Sequence, residues 1–178
     1  MVSAEVTETI HVPEGVNVTI TGSTIKIKGK SGELTRSFAS PMIQMKKEGK
    51  DVIVHADLPR KKTRALVGTW SAHIRNMVKG VQEPYEYKLK ICFSHFPIKV
   101  KVTGDKVVIE NFLGERTPRR ARIMGASKVK ISGEEILVTG PDVEHVSQTA
   151  ANMEQACIIR GFDPRVFQDG IYITSKGA

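Results

Sequence analysis

Val18-Thr19-Ile20-Thr21-Gly22 returns 82 residues later as Val100-Lys101-Val102-Thr103-Gly104. In both stretches apolar and polar residues alternate, which is typical of a strand with one buried face, and a glycine then breaks the alternation. The same offset relates four further pairs: Ile25 and Val107, Ile27 and Ile109, Gly32 and Gly114, and Glu33 and Glu115. Self-similarity at one long period indicates an internal duplication.

Each copy begins with short segments that have the strand period. In the first copy the predicted strands are Val16 to Thr21, Thr24 to Gly29, Leu34 to Phe38, Ile43 to Lys47 and Val52 to Ala56. In the second copy they are Tyr85 to Phe93, Ile98 to Thr103, Lys106 to Asn111, Arg119 to Ile123, Lys128 to Ser132 and Ile136 to Thr139. The turn at Gly22-Ser23 predicts a hairpin, because glycine readily adopts a positive φ.

The period then changes to that of a helix in both copies. The first predicted helix runs from Lys61 to Lys79 and ends at Gly80, with an apolar stripe of Leu66, Trp70, Ile74, Met77 and Val78. The second follows Pro141, runs from about Asp142 to Arg160 and ends at Gly161, with a stripe of Val146, Ala150, Met153 and Cys157. Each stripe needs a surface to cover it, and a preceding antiparallel sheet provides one.

These patterns predict an α+β fold of two similar domains, each a mainly antiparallel sheet packed against one helix. We expect an N-terminal sheet-plus-helix domain at residues 1–82 and a C-terminal one at residues 83–178, the latter with a tail that the repeat does not explain. The segment from Lys79 to Pro84 is the expected junction, because proline disfavours helix in the residue before it.

The composition narrows the class of protein. The chain has 178 residues, 40% of them hydrophobic, and a net charge of +8, so it supports globular cores and favours polyanionic partners such as nucleic acid. The first residues lack the basic and apolar regions of a signal peptide, and no apolar run approaches the ~20 residues that cross a bilayer. A soluble intracellular protein without a membrane partner is therefore expected.

The sequence contains no recognisable arrangement of catalytic residues. Five scattered histidines and two cysteines, Cys92 and Cys157, form no metal-ligand spacing, and both thiols are interpreted as reduced. Gly29-Lys30-Ser31 resembles the end of a phosphate-binding loop, but Thr24 stands where that loop requires glycine. We therefore expect a binding protein with no metal, no cofactor and no small-molecule substrate.

Local charge density selects one segment. The two halves carry net charges of +6 and +2, yet the second holds four arginines in the seven residues from Arg116 to Arg122. Guanidinium groups pair bidentately with phosphate, so an arginine-rich loop on a sheet can hold an RNA backbone. The alternative is a solvated edge strand that its charge protects from aggregation. A second basic cluster, Arg60 to Arg64, lies at the start of the first predicted helix, where the positive end of the helix dipole disfavours cations. The cluster indicates either a bound external anion or side chains that are simply solvated.

The tail from Gly161 to Ala178 mixes aromatic and basic residues. Phe162, Phe167 and Tyr172 either stack on bases or riboses or cover a sheet edge. Asp169-Gly170 is typical of a turn into a short last strand.

The residues resemble a known family, the ribosomal protein of the large subunit that is numbered six, in its archaeal and eukaryotic form. The first helix carries Asn76-Met77 followed two residues later by Gly80-Val81, and the second region carries Gly140, Asp142, Val146, Gln148 and Ala150-Ala151 in the family's order. The likeness extends over essentially the whole chain. The tail departs from the Lys- and Gly-rich bacterial pattern.

The resemblance implies a duplicated α+β fold and binding to large-subunit rRNA near the region where translation factors dock. It also implies neighbouring ribosomal proteins as partners, a location in the cytoplasmic ribosome, and a protein that is not an enzyme. It also makes the second domain the main rRNA-binding one. The predicted rRNA-binding residues are Arg116, Arg119, Arg120, Arg122, Lys128, Arg160, Arg165, Phe167, Tyr172 and Lys176. Reversing Arg119 and Arg120 to Glu is expected to weaken RNA binding without unfolding the domain. The rival functions are a basic protein–protein adaptor that uses exposed sheet edges and an RNA-modifying enzyme with an unfamiliar site.

Overall fold

The computed structural model describes residues 5–57, 59–163 and 165–177. The chain divides into two compact units, Met1–Pro84 and Tyr85–Ala178. Each unit has antiparallel sheets and one long α-helix around its own apolar core, so the predicted α+β fold with two similar halves is confirmed.

The first unit has six strands and one helix among its described residues. They are β1 (Glu5–His11), β2 (Asn17–Thr21), β3 (Thr24–Gly29), β4 (Gly32–Ser37), β5 (Gln44–Glu48), β6 (Asp51–Asp57) and α1 (Lys61–Gln82). One sheet has the order β1-β6-β5 and the other is the meander β2-β3-β4. Strict alternation in β6 buries Val52, Val54 and Ala56 against the core, as a one-face-buried strand requires.

The second unit repeats this plan with additions. Its elements are β7 (Tyr85–Cys92), β8 (Lys99–Thr103), β9 (Lys106–Glu110), a 3₁₀ helix (Phe112–Gly114), β10 (Arg119–Arg122), β11 (Lys128–Ser132), β12 (Glu135–Gly140), α2 (Val143–Ala156) and β13 (Gly170–Lys176). The meander here is β8-β9-β10, and a four-stranded sheet has the order β11-β12-β7-β13. The extra strand β13 comes from the predicted tail and pairs along β7.

The start of the first unit differs from the sequence prediction, which contained no strand before Val16. β1 lies at residues 5–11 and pairs with β6. Its inward positions include Glu8, whose carboxylate accepts a hydrogen bond from Arg75 on α1 at 2.8 Å. An acid at an inward position interrupts the apolar alternation on which the prediction relied.

The first helix also differs at its end and on its buried face. α1 continues through Gly80 to Gln82, because Gly80 and Val81 are buried in the core and Ser31 on the β3–β4 turn donates to the carbonyls of Val81 and Gln82. Packing therefore overrides the tendency of glycine to end a helix. Leu66 is 38% exposed, and Val67 takes the buried position that the predicted stripe gave to Leu66.

The second helix is shorter than predicted. Asp142 caps α2, its carboxylate accepting from the Glu144 amide, but the helix ends at Ala156, and neither Arg160 nor Gly161 belongs to it. The buried residue Cys157 forms the C-cap. The prediction that the second helix continues to about Arg160 was therefore wrong.

The two meanders have the same register but different connections. In the first, Gly29 pairs with Gly32 across a two-residue turn, whereas residues 111–118 join β9 to β10. The predicted match of Gly32 with Gly114 and Glu33 with Glu115 is consequently wrong. Gly32 and Glu33 lie in β4, while Gly114 and Glu115 belong to the longer connection.

Candidate nucleic-acid interface

The outer face of the β8-β9-β10 meander is basic. Val107, Ile109 and Ala121 are buried on its inner face, so the alternate residues point outward. We name this surface the basic face, and its outward cations are Lys99, Lys101, Lys106, Arg120 and Arg122. All five are exposed, and the one acid among them, Glu110, is bound by Lys101 at 3.1 Å.

The first copy supplies a less basic reference for this surface, because its own outward cations are Lys26 and Lys28, and Lys26 is paired with Glu33 at 2.7 Å. The register Asn17–Lys28 and Thr19–Lys26 in β2-β3 corresponds to Lys99–Glu110 and Lys101–Val108 in β8-β9. By the same superposition of registers, neutral residues of the first copy stand where the second has cations: Asn17 for Lys99, Thr19 for Lys101, Thr24 for Lys106, Thr35 for Arg120 and Ser37 for Arg122. The fold therefore needs no charge at these positions.

Two of the cations face each other directly. Arg122 on β10 is the register partner of Lys106 on β9. Like charges at directly opposed positions destabilise a sheet by about 0.2–1 kcal/mol. The structure of the isolated chain does not compensate this repulsion, since no hydrogen bond or ion pair joins either side chain to another described residue.

Arg119 differs from its neighbours in the arginine cluster. Its guanidinium donates from Nε and Nη2 to the Glu115 carboxylate and from Nη1 to the carbonyls of Ala156 at 2.8 Å and Ile158 at 3.2 Å. It also lies 4.2 Å from the centre of the Phe112 ring. Hydrogen bonding between the two groups lowers the pKa of Glu115 and raises that of Arg119.

The guanidinium group of Arg119 thus binds partners within the domain, and it links β10 to the end of α2. Arginine has five donors in one plane, and these contacts occupy most of them. The structure thus gives most donors of Arg119 to partners within the domain, and the prediction that Arg119 binds rRNA stays a prediction. The charge reversal predicted to leave the fold intact is unsuitable at this residue, because a glutamate there would face Glu115.

Arg120 and Arg160 line one open groove of about 660 Å³ in the second unit. Its walls also contain the exposed apolar side chains Ile158 and Phe162, together with Leu113. Neither Arg120 nor Arg160 has a side-chain partner among residues 85–163 and 165–177. Arg116 is exposed in the connection that precedes β10.

The tail is held on the unit by a buried carboxylate. Asp169 is 1% exposed and accepts hydrogen bonds from the Ser94 amide at 3.1 Å, the Ser94 hydroxyl at 3.0 Å and the His95 amide. Burial raises the pKa of Asp169, but these hydrogen bonds outweigh burial and leave the pKa below its ordinary value. The residues before β13 are thereby fixed to the segment that follows β7.

The aromatic residues of the tail do not cover a sheet edge as one group. Phe167 stacks on His95 with ring centres 4.9 Å apart and lies 4.7 Å from Phe162, which is 53% exposed. Tyr172 is 41% exposed on the outer face of the four-stranded sheet, opposite Lys90. The structure therefore separates Tyr172 from the Phe162–Phe167 pair.

The remaining predicted residues are distributed over several surfaces. Lys128 shares the outer face of the four-stranded sheet with Tyr172, Lys176 is exposed near the end of β13, and Arg165 is exposed in the tail. The predicted rRNA-binding residues thus do not form one surface. Some lie around Arg120, and the others are single side chains on separate surfaces of the second unit. Lys99, Lys101 and Lys106 were missed, although the alternation Lys99-Val100-Lys101-Val102 already put both lysines on the solvent face of a strand.

The described residues contain neither a metal-ligand cluster nor a helix that could span a membrane. In the parts of the chain that the structure describes, no three His, Cys, Asp or Glu side chains come together as a metal site. Neither α1 nor α2 combines the length and the apolarity that a membrane crossing demands.

Comparison with known proteins extends over nearly the whole chain. The family model of Ribosomal protein L6 matches residues 12–84 and again residues 96–170, one match in each structural unit. The large ribosomal subunit protein uL6 of Methanocella arvoryzae is 53% identical over 175 residues, which cover 98% of this chain and 99% of that protein. Its namesake from Methanobrevibacter smithii is 49% identical over 176 residues, 99% of both chains.

A third protein of the same name, from Methanothrix thermoacetophila, is 47% identical over 172 residues, 97% of this chain and 98% of its own. The three relatives match at least 97% of the chain, and they confirm the resemblance drawn from the helix motifs. The chain belongs to the ribosomal protein L6 family.

Proposed function

We propose that this chain is built into the large ribosomal subunit, where the basic face of its second unit binds rRNA. The observation that carries the proposal is the replacement of five neutral positions of the first meander by five cations in the second. Cations that oppose each other without internal partners are stabilised by an external polyanion, and phosphate is the anion that RNA supplies. The relatives' name, large ribosomal subunit protein, supports the same assembly.

Family membership also bears on the class of protein. A ribosomal-protein family is structural, so the predictions of a non-catalytic chain and of a place in the cytoplasmic ribosome are confirmed. The position near the translation-factor-docking region and the contacts with neighbouring ribosomal proteins rest on the resemblance, and they stay part of the proposal.

The proposed phosphate contacts combine the basic face with the rim of the groove. They are Lys99, Lys106, Arg116, Arg120, Arg122 and Arg160, with Lys128, Arg165 and Lys176 as outlying cations. Six such contacts give a slope of roughly −4 to −5 for the logarithm of affinity against the logarithm of salt concentration. Phosphate contacts position the protein, while groove shape and the 2′-hydroxyl distinguish RNA from DNA.

The test uses the first copy as its guide. A triple variant of the full chain, Lys106→Thr with Arg120→Thr and Arg122→Ser, installs the residues of the first meander and leaves the Lys101–Glu110 pair intact. The matched control removes three charges from the first unit by Lys61→Gln, Lys62→Gln and Arg64→Gln. Filter binding to large-subunit rRNA is measured from low to high salt.

The triple variant should reduce the salt slope by about 2 and the affinity at low salt by roughly two orders of magnitude. The control should retain the slope of the unmodified chain. Equal losses in both variants would mean that total charge, and not the basic face, determines binding. Binding of the chain to ribosomal particles that survives nuclease and high salt would favour the protein–protein adaptor instead.

A further inference from the structure

The groove beside Phe162 combines an aromatic wall with two unpartnered arginines. Phe162 and Ile158 are 53% and 51% exposed, so two large apolar side chains of the same groove face solvent. Its volume of about 660 Å³ is within the range of ~300–1,000 Å³ that is common for small-ligand sites. The groove therefore has room for a group the size of a nucleotide.

The aromatic wall is held in place by contacts behind it. Phe167 packs against Phe162 on one side and stacks on His95 on the other. The amide of His95 and the Ser94 hydroxyl are in turn bound by the buried carboxylate of Asp169. A ring supported in this way loses little conformational entropy when a ligand stacks on it.

Another part of the groove lining is also held by contacts within the domain. Arg119 and Glu115 line the groove as an ion pair, and Arg119 is anchored on the carbonyl of Ala156. Their charges are therefore already satisfied. The cations that remain for a ligand are Arg120 and Arg160, which line the same groove as Phe162 and can pair with phosphate.

We propose that this groove receives a single unpaired nucleotide of the bound RNA, whose base stacks on Phe162 and whose flanking phosphates contact Arg120 and Arg160. The inference rests on the proposed function, and it adds that the RNA site contains a bulged or looped-out base beside the duplex. Unstacked bases are the parts of RNA that aromatic side chains bind, whereas a paired base offers no free ring face. An apolar protein segment would leave the two arginines without counter-charges, which favours RNA as the occupant.

The probe is an RNA hairpin with one bulged 2-aminopurine, compared with the same hairpin fully paired, each bound to the full chain. The unmodified chain should bind the bulged hairpin more tightly, and the 2-aminopurine fluorescence should fall on binding as the base stacks. Phe162→Leu keeps the apolar volume and removes the aromatic face. It should reduce affinity for the bulged hairpin by about five- to a hundredfold, and it should leave affinity for the paired hairpin unchanged.

Phe93→Leu is the matched control, because Phe93 is 42% exposed and does not line the groove. Equal affinity for both hairpins, unchanged fluorescence, or the same loss in both leucine variants would overturn the inference. The double variant Lys106→Thr with Arg122→Ser separates the two proposals, because it leaves Arg120 in the groove and should weaken both hairpins alike. If it does so while Phe162→Leu has no effect, the inserted nucleotide is refuted and the basic face is retained. If the double variant changes neither hairpin, the proposed function itself fails.

Discussion

Arg119 occupies in the second meander the register position that Leu34 holds in the first. Leu34 pairs with the buried Ile27, and Arg119 pairs with the equivalent Ile109. An inward position of a strand thus carries an arginine, whose guanidinium lies over the Phe112 ring and donates to the Glu115 carboxylate. The longer connection of the second copy makes this possible, because it supplies both Phe112 and Glu115.

We expect Arg119→Ala to destabilise the second unit by about 1–3 kcal/mol, since the carbonyls of Ala156 and Ile158 and the Glu115 carboxylate lose a charged donor. Arg119→Leu, which installs the residue found at position 34, should cost less, because it restores apolar contact at an inward position. Urea unfolding measures the stability of both variants, and Arg119→Ala, Glu115→Gln and their combination form with the unmodified chain a double-mutant cycle. A coupling energy near zero between Arg119 and Glu115 would show that the ion pair does not position β10.

Arg122→Ser should leave the stability of the fold unchanged or raise it by a few tenths of a kcal/mol, because it removes the repulsion of Lys106 across β9 and β10. The same change should lower RNA affinity and reduce the salt slope by about 0.7–0.9. Thermal unfolding and RNA titration on the same preparation check both results. A variant that lost stability and kept its affinity would contradict the assignment of Arg122 to the RNA surface.

Asp169 gives the second unit a pH dependence of known sign. Its pKa is lower in the folded chain than the ordinary 3.8, so its contribution is fully present above that value and is lost as the pH falls through the folded pKa. The protection factors of the Ser94 and His95 amides, which compare the observed exchange rate with the intrinsic rate at the same pH, should therefore decrease as the pH falls below this ordinary value. Asp169→Asn should abolish this acid step and cost about 1–3 kcal/mol at neutral pH. Exchange rates that ignore the substitution would argue against the carboxylate as the anchor of the tail.

The two cysteines should react at very different rates. Burial raises the pKa of Cys157 to about 11, more than the Ile171 amide and Arg119 lower it. At pH 8 only about one Cys157 in a thousand is then a thiolate, whereas Cys92 is only half-buried. A disulfide reagent should label one thiol quickly in the native chain and both in urea. In Cys92→Ser the fast phase should vanish, and its persistence would place the reactive thiol at Cys157.

The strands were predictable where one side chain in two is apolar, as in β6 and β9, because period two reflects burial of a single face. β1 was not, since the inward Glu8 depends on Arg75 of a distant helix. The ends of α1 and α2 were missed for a related reason. Contacts from Ser31 and Arg119, remote in sequence, satisfy the last carbonyls of these helices.

The candidate site, too, was predictable only where neighbouring residues in the sequence determine it. The density of arginines from Arg116 to Arg122 predicts an RNA site in this region, but a count of charges does not distinguish Arg119, which faces inward, from Arg120, which faces outward. The contribution of β8 and β9 to the basic face required the register. The register follows from the hairpin geometry and not from composition.

The pairing of β7 with β13 joins segments from opposite ends of the second unit. During synthesis the first unit has all its strands by residue 57 and its helix by residue 82, so it can fold while the rest is being translated. The second unit has to wait, because β7 gains its outer neighbour only when residues 170–176 have left the exit tunnel. Until then one edge of β7 is unpaired. Nascent chains that contain β7 but not yet β13 are therefore the ones in which β7 can most easily pair with a wrong strand.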